Sequence, residues 1–208
     1  MSSEMRPVKR LRDLHAEATR TALVSAARQR FTELGFADTS LDDVAADAGT
    51  TKGAVYHHFR DKKALFRAVY VEVSRQLIAA VAMSTAAGRG ESPGEIALHA
   101  FLIHAGEPAC QRVLFSDGPV VLGAAECRAI DTDHSQGLLS RLIEQQVAPD
   151  LLLGIGSETM AKMLLAVFVE SAQIIASAPE REATLAGIKT VLKRMIVALS
   201  APQSTQGP

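Results

Sequence analysis

Gly49 separates two short apolar patterns in the stretch SLDDVAADAGTTKGAVYHHF, residues 40–59, and the whole stretch reads as helix, tight turn, helix. Leu41, Val44, Ala45 and Ala48 recur at i, i+3, i+4 and i+7, one apolar face of a short helix. Ser40 stands at the N-cap position. Asp42 and Asp43 fall in the first turn, where carboxylates meet the positive end of the helix dipole, and Asp43 completes an S-x-x-D capping pattern. Gly49 supplies the left-handed residue that stops this helix. Thr51 can cap a second helix starting at Lys52, in which Val55 and Phe59 face inward and Lys52, Gly53, Tyr56 and His57 stay outside. A short helix showing Lys, a bare Gly, Tyr and His, angled by a glycine turn, suits entry into a DNA major groove.

The pattern T-S-x-x-x-V-A-x-x-A-G-x-T-K-G-x-x-Y-x-H-F-x-x-K-x-x-L, over residues 39–65, resembles the DNA-binding domain of the TetR family of bacterial transcriptional regulators. The similarity extends over about residues 16–73. Thr50 departs from it, standing where the family usually has an apolar residue between the two helices. A second stretch, RVLFSDGPVVLG at residues 112–123, resembles one in a subset of the family's C-terminal domains. The resemblance implies an all-α chain of about nine helices, with a three-helix DNA-binding domain ahead of a helical ligand-binding and dimerisation domain. It implies a repressor that holds a palindromic operator as a homodimer and is released by a small, lipophilic effector. The alternative is a DNA-binding regulator with no small-molecule effector, controlled by a partner protein. The resemblance also implies that the helix joining the two domains carries movement from effector pocket to DNA.

Charge fits a polyanion-binding head. Of the 208 residues, the first 67 hold 12 Lys+Arg against 9 Asp+Glu, and the remainder 10 against 14. The expected divisions are a basic flexible leader at 1–15, the DNA-binding domain at 16–61 and a connecting helix at 62–85. An effector-binding and dimerisation domain at 86–202 and a disordered tail at 203–208 complete the chain. In the leader, Arg6, Lys9, Arg10 and Arg12 read either as a solvated terminus or as an arm along the DNA backbone or minor groove. The first helix, from about residue 16 to 34, lines Leu23, Ala27, Phe31 and Leu34 on one face before Gly35, and Phe36 can fold back on it.

Within the head, Lys52 is the candidate for a base-edge contact, since lysine donates to guanine acceptors. Thr51 reaches a base methyl or a phosphate. Thr50 and Ala54 flank it on the DNA side, and Gly53 lets backbone and DNA approach closely. Tyr56 and His57 are phosphate donors, and Lys62 is a further phosphate clamp. Thr39 and Ser40 either cap alone or also grip a phosphate. Asp61 caps the connecting helix, whose inner stripe is Leu65, Phe66, Val69, Tyr70, Val73 and Leu77.

Beyond a loop at 86–94, helices are expected at about 94–105, 107–115, 123–147, 157–178 and 181–200, with Asp117-Gly118-Pro119 as a break. The last two present Met160, Leu164, Val167, Ser171 and Ile174, and Leu185, Ile188, Leu192, Met195 and Leu199, as stripes suited to a dimeric four-helix bundle. An effector pocket is expected among Phe101, His104, Phe115, Leu122, Leu138, Leu142, Met163 and Phe168. No apolar run approaches the ~20 residues of a membrane span. Cys110 and Cys127 form no disulfide framework, which points to a reducing cytoplasm, with the nucleoid as the place of work when DNA is bound. The spacings of His104, Cys110, Cys127 and His134 match no metal-ligand pattern, and no cofactor is expected. Gly154-Ile155-Gly156-Ser157 superficially resembles a phosphate loop, but no strand precedes it and no catalytic constellation is present, so no enzyme is expected.

Overall fold

The computed structural model describes residues 5–88 and 92–200. The expected tail at 203–208 lies outside them, as do the side chains of the leader cations Arg6, Lys9, Arg10 and Arg12. Among the described residues there are nine α-helices and no strands, and the chain divides into two compact units at Glu72 and Val73.

The first unit holds α1 (Met5–Asp38), α2 (Leu41–Asp47), α3 (Lys52–His58) and the opening turns of α4 (Lys62–Ala87). Helix α1 starts at Met5, so the backbone from there to His15 is helical where a flexible leader is expected. Gly35, with φ of 82°, interrupts the far end of α1 and turns Phe36 back. The Phe36 ring lies 6.0 Å from Phe31 and 5.3 Å from Phe66, and Phe31 and Phe66 meet edge to face at 5.1 Å. Around this aromatic cluster Leu23, Ala27, Val44, Val55, Leu65 and Val69 are sealed from solvent. Leu34, expected on the same face, stays largely outside.

The second unit holds the rest of α4, then α5 (Pro93–Ala105), a π-helical segment (Cys110–Asp117), α6 (Gly118–Val121) and α7 (Ala124–Gln146). A 3₁₀ turn (Pro149–Leu152), α8 (Gly156–Ser177) and α9 (Arg181–Leu199) complete it. Asp117-Gly118-Pro119 is not a break. The π-helical segment runs straight into α6, where Pro119 sits in the first turn, and the chain bends instead at Gly123, with φ of 94°. Helix α7 packs along α8, and α5 along α9. Ile143, Val147, Met160 and Ala161 form a core cluster flanked by Leu139, Leu164 and Leu199.

Helix α8 corrects one expectation. It is long and apolar enough to cross a membrane, with a mean hydropathy of 1.5 over an 18-residue window, and only 28% of that window is buried. Glu158, Lys162 and Glu170 interrupt the apolar run in sequence, which hides its overall character from a search for an unbroken stretch.

Candidate nucleic-acid interface

Helices α2 and α3 are set by their caps. The Ser40 hydroxyl accepts from the Asp42 N–H at 3.1 Å, and the Thr51 hydroxyl accepts from the Ala54 N–H at 3.2 Å. Asp43 does not close a capping box back to Ser40. It turns to Arg30 of α1 at 3.3 Å, and the same guanidinium holds both carboxylate oxygens of Asp47. The hydrogen bond from Arg30 holds Asp47 below the usual carboxylate range. After α2 the N–H of Gly49 bonds to the carbonyl of Ala46 at 3.0 Å, and that of Thr50 to the carbonyl of Ala45 at 2.9 Å. With Gly49 at φ of 64°, this is a Schellman turn, and it fixes the angle between α2 and α3.

The turn leaves α3 two-sided. Val55 and Phe59 are buried, while Thr51, Lys52, Gly53 and His57 are exposed and Tyr56 is 50% exposed. Thr50 and Ala54 are half-buried beside them, and Ser40 is exposed at the start of α2. The polar residues read from sequence therefore share one open face.

Two side chains are less available than their positions suggest. Thr39 is buried, and its hydroxyl donates to the Gly35 carbonyl at 2.7 Å, so it closes the α1–α2 turn and presents no hydroxyl to a phosphate. The Lys62 ammonium donates to the carbonyls of Ala37 and Thr39, both at 3.0 Å, and lies 4.5 Å over the Phe36 ring. It acts as a brace, with one of its three protons left. Lys52, by contrast, is exposed and meets Asp42 at 2.9 Å. The hydrogen bond and charge of Asp42 raise its pKa, so it stays an ammonium. Its place in the sequence gives Asp42 a role only at the helix dipole. The Asp42–Lys52 pair spans the turn, ten residues apart, and no helical spacing rule signals it.

In the second unit two of the expected pocket residues meet. Phe101 packs its ring 5.5 Å from that of Phe168. Phe115 and Leu122 are buried, Leu138 and Leu142 half-buried, and His104 pairs with Glu107 at 2.7 Å. Met163 is 56% exposed, outside any core. None of the eight lines either of two cavities found here. One, of about 240 Å³, lies among Leu102, Gln111, Ile175 and Leu185. The other, of about 330 Å³, lies among Cys127, Asp131, Leu165 and Val169.

The expected interface stripes divide between core and surface. Met160, Ser171 and Leu192 are buried within the chain's own core, Leu164, Val167, Leu185 and Ile188 are half-buried, and Leu185 lines a cavity. Of the expected positions Ile174 on α8 and Met195 on α9 are exposed, and Met163 on α8 and Val191 and Val197 on α9 are exposed as well.

Residues 23–69 match the family described as "Bacterial regulatory proteins, tetR family", and residues 96–199 match "Tetracyclin repressor-like, C-terminal domain". The chain belongs to the TetR family. Its fold is similar to that of a TetR-family transcriptional regulator from Pectobacterium atrosepticum, with a TM-score of 0.76 and 30% identity over 91% of this chain and 97% of that one. It is 25% identical over 156 residues to the transposon Tn10 TetC protein of Escherichia coli, covering 75% of this chain and 79% of that one. The transcriptional repressor BepR of Brucella suis shares 43% identity over 61 residues, which is 28% of this chain and 29% of BepR. TetR-family proteins are helix-turn-helix regulators of transcription, not enzymes.

Proposed function

We propose that this TetR-family chain is a ligand-responsive repressor that binds a palindromic operator as a homodimer and leaves it when a small effector binds. The observation that carries the reading is the two-sidedness of α3: Val55 and Phe59 anchor it, and Lys52, Gly53, Tyr56 and His57 face outward with no core to serve. Lys52 reads a base edge, Thr51 and Ala54 approach the groove wall, and Ser40, Tyr56 and His57 hold phosphates that fix register. Lys62 supports this face from behind, through the turn ahead of α2. A regulator of this class acts on DNA in the bacterial cytoplasm.

Dimerisation is supported by the bare apolar positions of α8 and α9. Water penalises such a surface at roughly 25 cal/mol per Å², and a second copy offers the same surface in return. Two copies related by a dyad would place their α3 helices for half-sites one helical turn apart, about 34–36 Å.

The test is footprinting on the DNA flanking the chain's own coding region. A protected palindrome is the expected result. Lys52→Ala should weaken operator binding by about 1–3 kcal/mol while leaving the dimer intact by sedimentation. Operator affinity unchanged by that substitution would remove Lys52 from base reading, and absence of binding to any duplex at low salt would overturn the function.

A further inference from the structure

The cavity of about 240 Å³ is drawn from α5, the π-helical segment, α8 and the start of α9, and Leu102, Ala172, Ile175 and Leu185 make its wall apolar. Its polar groups come from two places. Gln111 stands on the π-helical segment, a rare conformation that tends to mark functional sites. Arg181 and Glu182 open α9, and both are exposed. The Gln111 side chain is fixed at both ends. Its Nε2 donates to the Ala105 carbonyl at the end of α5, which turns its Oε1 toward Arg181, and that oxygen accepts from Arg181 Nη2 at 2.7 Å. The guanidinium is thereby held at the cavity. A single amide oxygen takes only part of what a guanidinium can donate.

We propose that this cavity is the effector site and that it takes a small carboxylic acid with an apolar body, its carboxylate on Arg181. The inference rests on the regulator reading above and adds the ligand class and the residue that recognises it. A carboxylate matches the fork of a guanidinium in shape and opposes its charge, and an alcohol does neither. Gln111 has already set the fork, so less side-chain freedom is lost when a ligand arrives. Helix α9 begins at Arg181, which brings the positive end of its dipole to the same mouth. Glu182, in that first turn, repels an acid only through solvent, which screens exposed charges, whereas Arg181 meets it in contact. An amine gains from Glu182 only through the same screened field, and it meets Arg181 and the dipole with the wrong sign. The apolar wall covers the rest of the ligand. By linkage, an acid that drives release binds the operator-held protein more weakly by the factor by which it weakens operator binding.

The experiment uses the full-length protein, with operator binding measured first without ligand. Hexanoate, benzoate and phenylacetate are then titrated calorimetrically at neutral pH, each beside the alcohol and the amine of the same carbon skeleton. At least one acid should bind saturably, with its alcohol and its amine about tenfold or more weaker. Arg181→Met keeps the apolar stem of an exposed side chain, and should lower acid affinity by about tenfold or more with the helical circular dichroism signal unchanged. Gln111→Glu leaves Arg181 in place but gives it a carboxylate within the chain, and should lower acid affinity by a similar factor. Leu185→Trp fills the cavity from a half-buried wall position and should abolish binding. At saturation the acid should weaken operator binding by about tenfold or more in the parent, and the same acid concentration should leave Arg181→Met on its operator. Saturable binding by none of the three acids, or an alcohol or amine that binds as tightly as its acid, would overturn the proposal. So would undiminished acid affinity in Arg181→Met, Gln111→Glu or folded Leu185→Trp, or an operator affinity untouched by a bound acid. A protein that ignores its operator from the outset would sink the repressor reading instead, and the acid titrations would still decide the site.

Discussion

Gly53 has almost nothing beside it: a Cβ there would meet only the Thr51 hydroxyl, at 3.7 Å. No contact inside the protein requires a glycine, and a helical glycine costs about 0.5–1 kcal/mol relative to alanine. Gly53→Ala should therefore raise thermal stability by about that amount, read by calorimetry, while weakening operator binding because the added methyl stands where DNA approaches. Its neighbour Lys52 is held by Asp42, so DNA must compete with a carboxylate for it. Asp42→Asn should free the ammonium for indiscriminate phosphate contact and steepen the salt dependence of non-specific binding by about 0.9 per phosphate gained. His58 offers a pH-dependent prediction. Burial first, then the charges of His57 and Arg20, hold its pKa below the ordinary imidazole value. The unfolded chain thus binds this proton more readily than the folded one. The stabilising effect is complete above the unfolded value of about 6.5 and fades as pH falls through it toward the lower folded value. Melting temperature followed from pH 8 to pH 5 should fall less in His58→Gln than in the parent.

The α2–α3 turn depends on Gly49 for its conformation, not for space. Nothing lies within 4 Å of a Cβ built there, but φ is 64°. Gly49→Ala should destabilise the first unit by about 1–2 kcal/mol, the cost of a left-handed non-glycine residue, with the midpoint of urea unfolding as the measure. These short elements were legible because each end is written in the local sequence: Ser40, Gly49, Thr51 and Asp61 all cap or turn where their chemistry implies. Other features depend on what lies across the chain. Between Arg6 and His15 the sequence carries no glycine and no serine, threonine or asparagine cap, so nothing local marks a leader off from a helix. The run through Asp117-Gly118-Pro119 stays helical because a π-helical segment leads into α6, with proline tolerated in its first turn. On α8 apolar residues occupy more than one face, and period alone cannot say which face meets α7 and which stays bare. Met160, expected on an interface, is buried, and Met163, expected in a pocket, is exposed. Seven of the eight residues expected around a pocket are large and apolar, which are the properties of core, so period and hydropathy alone do not separate a pocket lining from packing.

Over the whole chain, a mildly basic DNA-binding unit is joined to an acidic helical unit with uncovered apolar positions on its last two helices. Val191 is 57% exposed and should be spent on subunit contact if the dimer forms as proposed. Val191→Asp should weaken self-association by at least tenfold, about 1.4 kcal/mol, in sedimentation velocity, and operator binding should fall with it while the folded monomer persists. As the effector-released repressor proposed above, the chain would carry a signal along α4, and Lys62 bears on how. Its ammonium grasps the peptide oxygens of Ala37 and Thr39, immediately ahead of the Ser40 cap. The first turn of α4 is thereby tethered to the entry of α2. A small swivel of α4 about its own axis would tug that entry along, and the reading head would tilt without any residue of α3 having been touched.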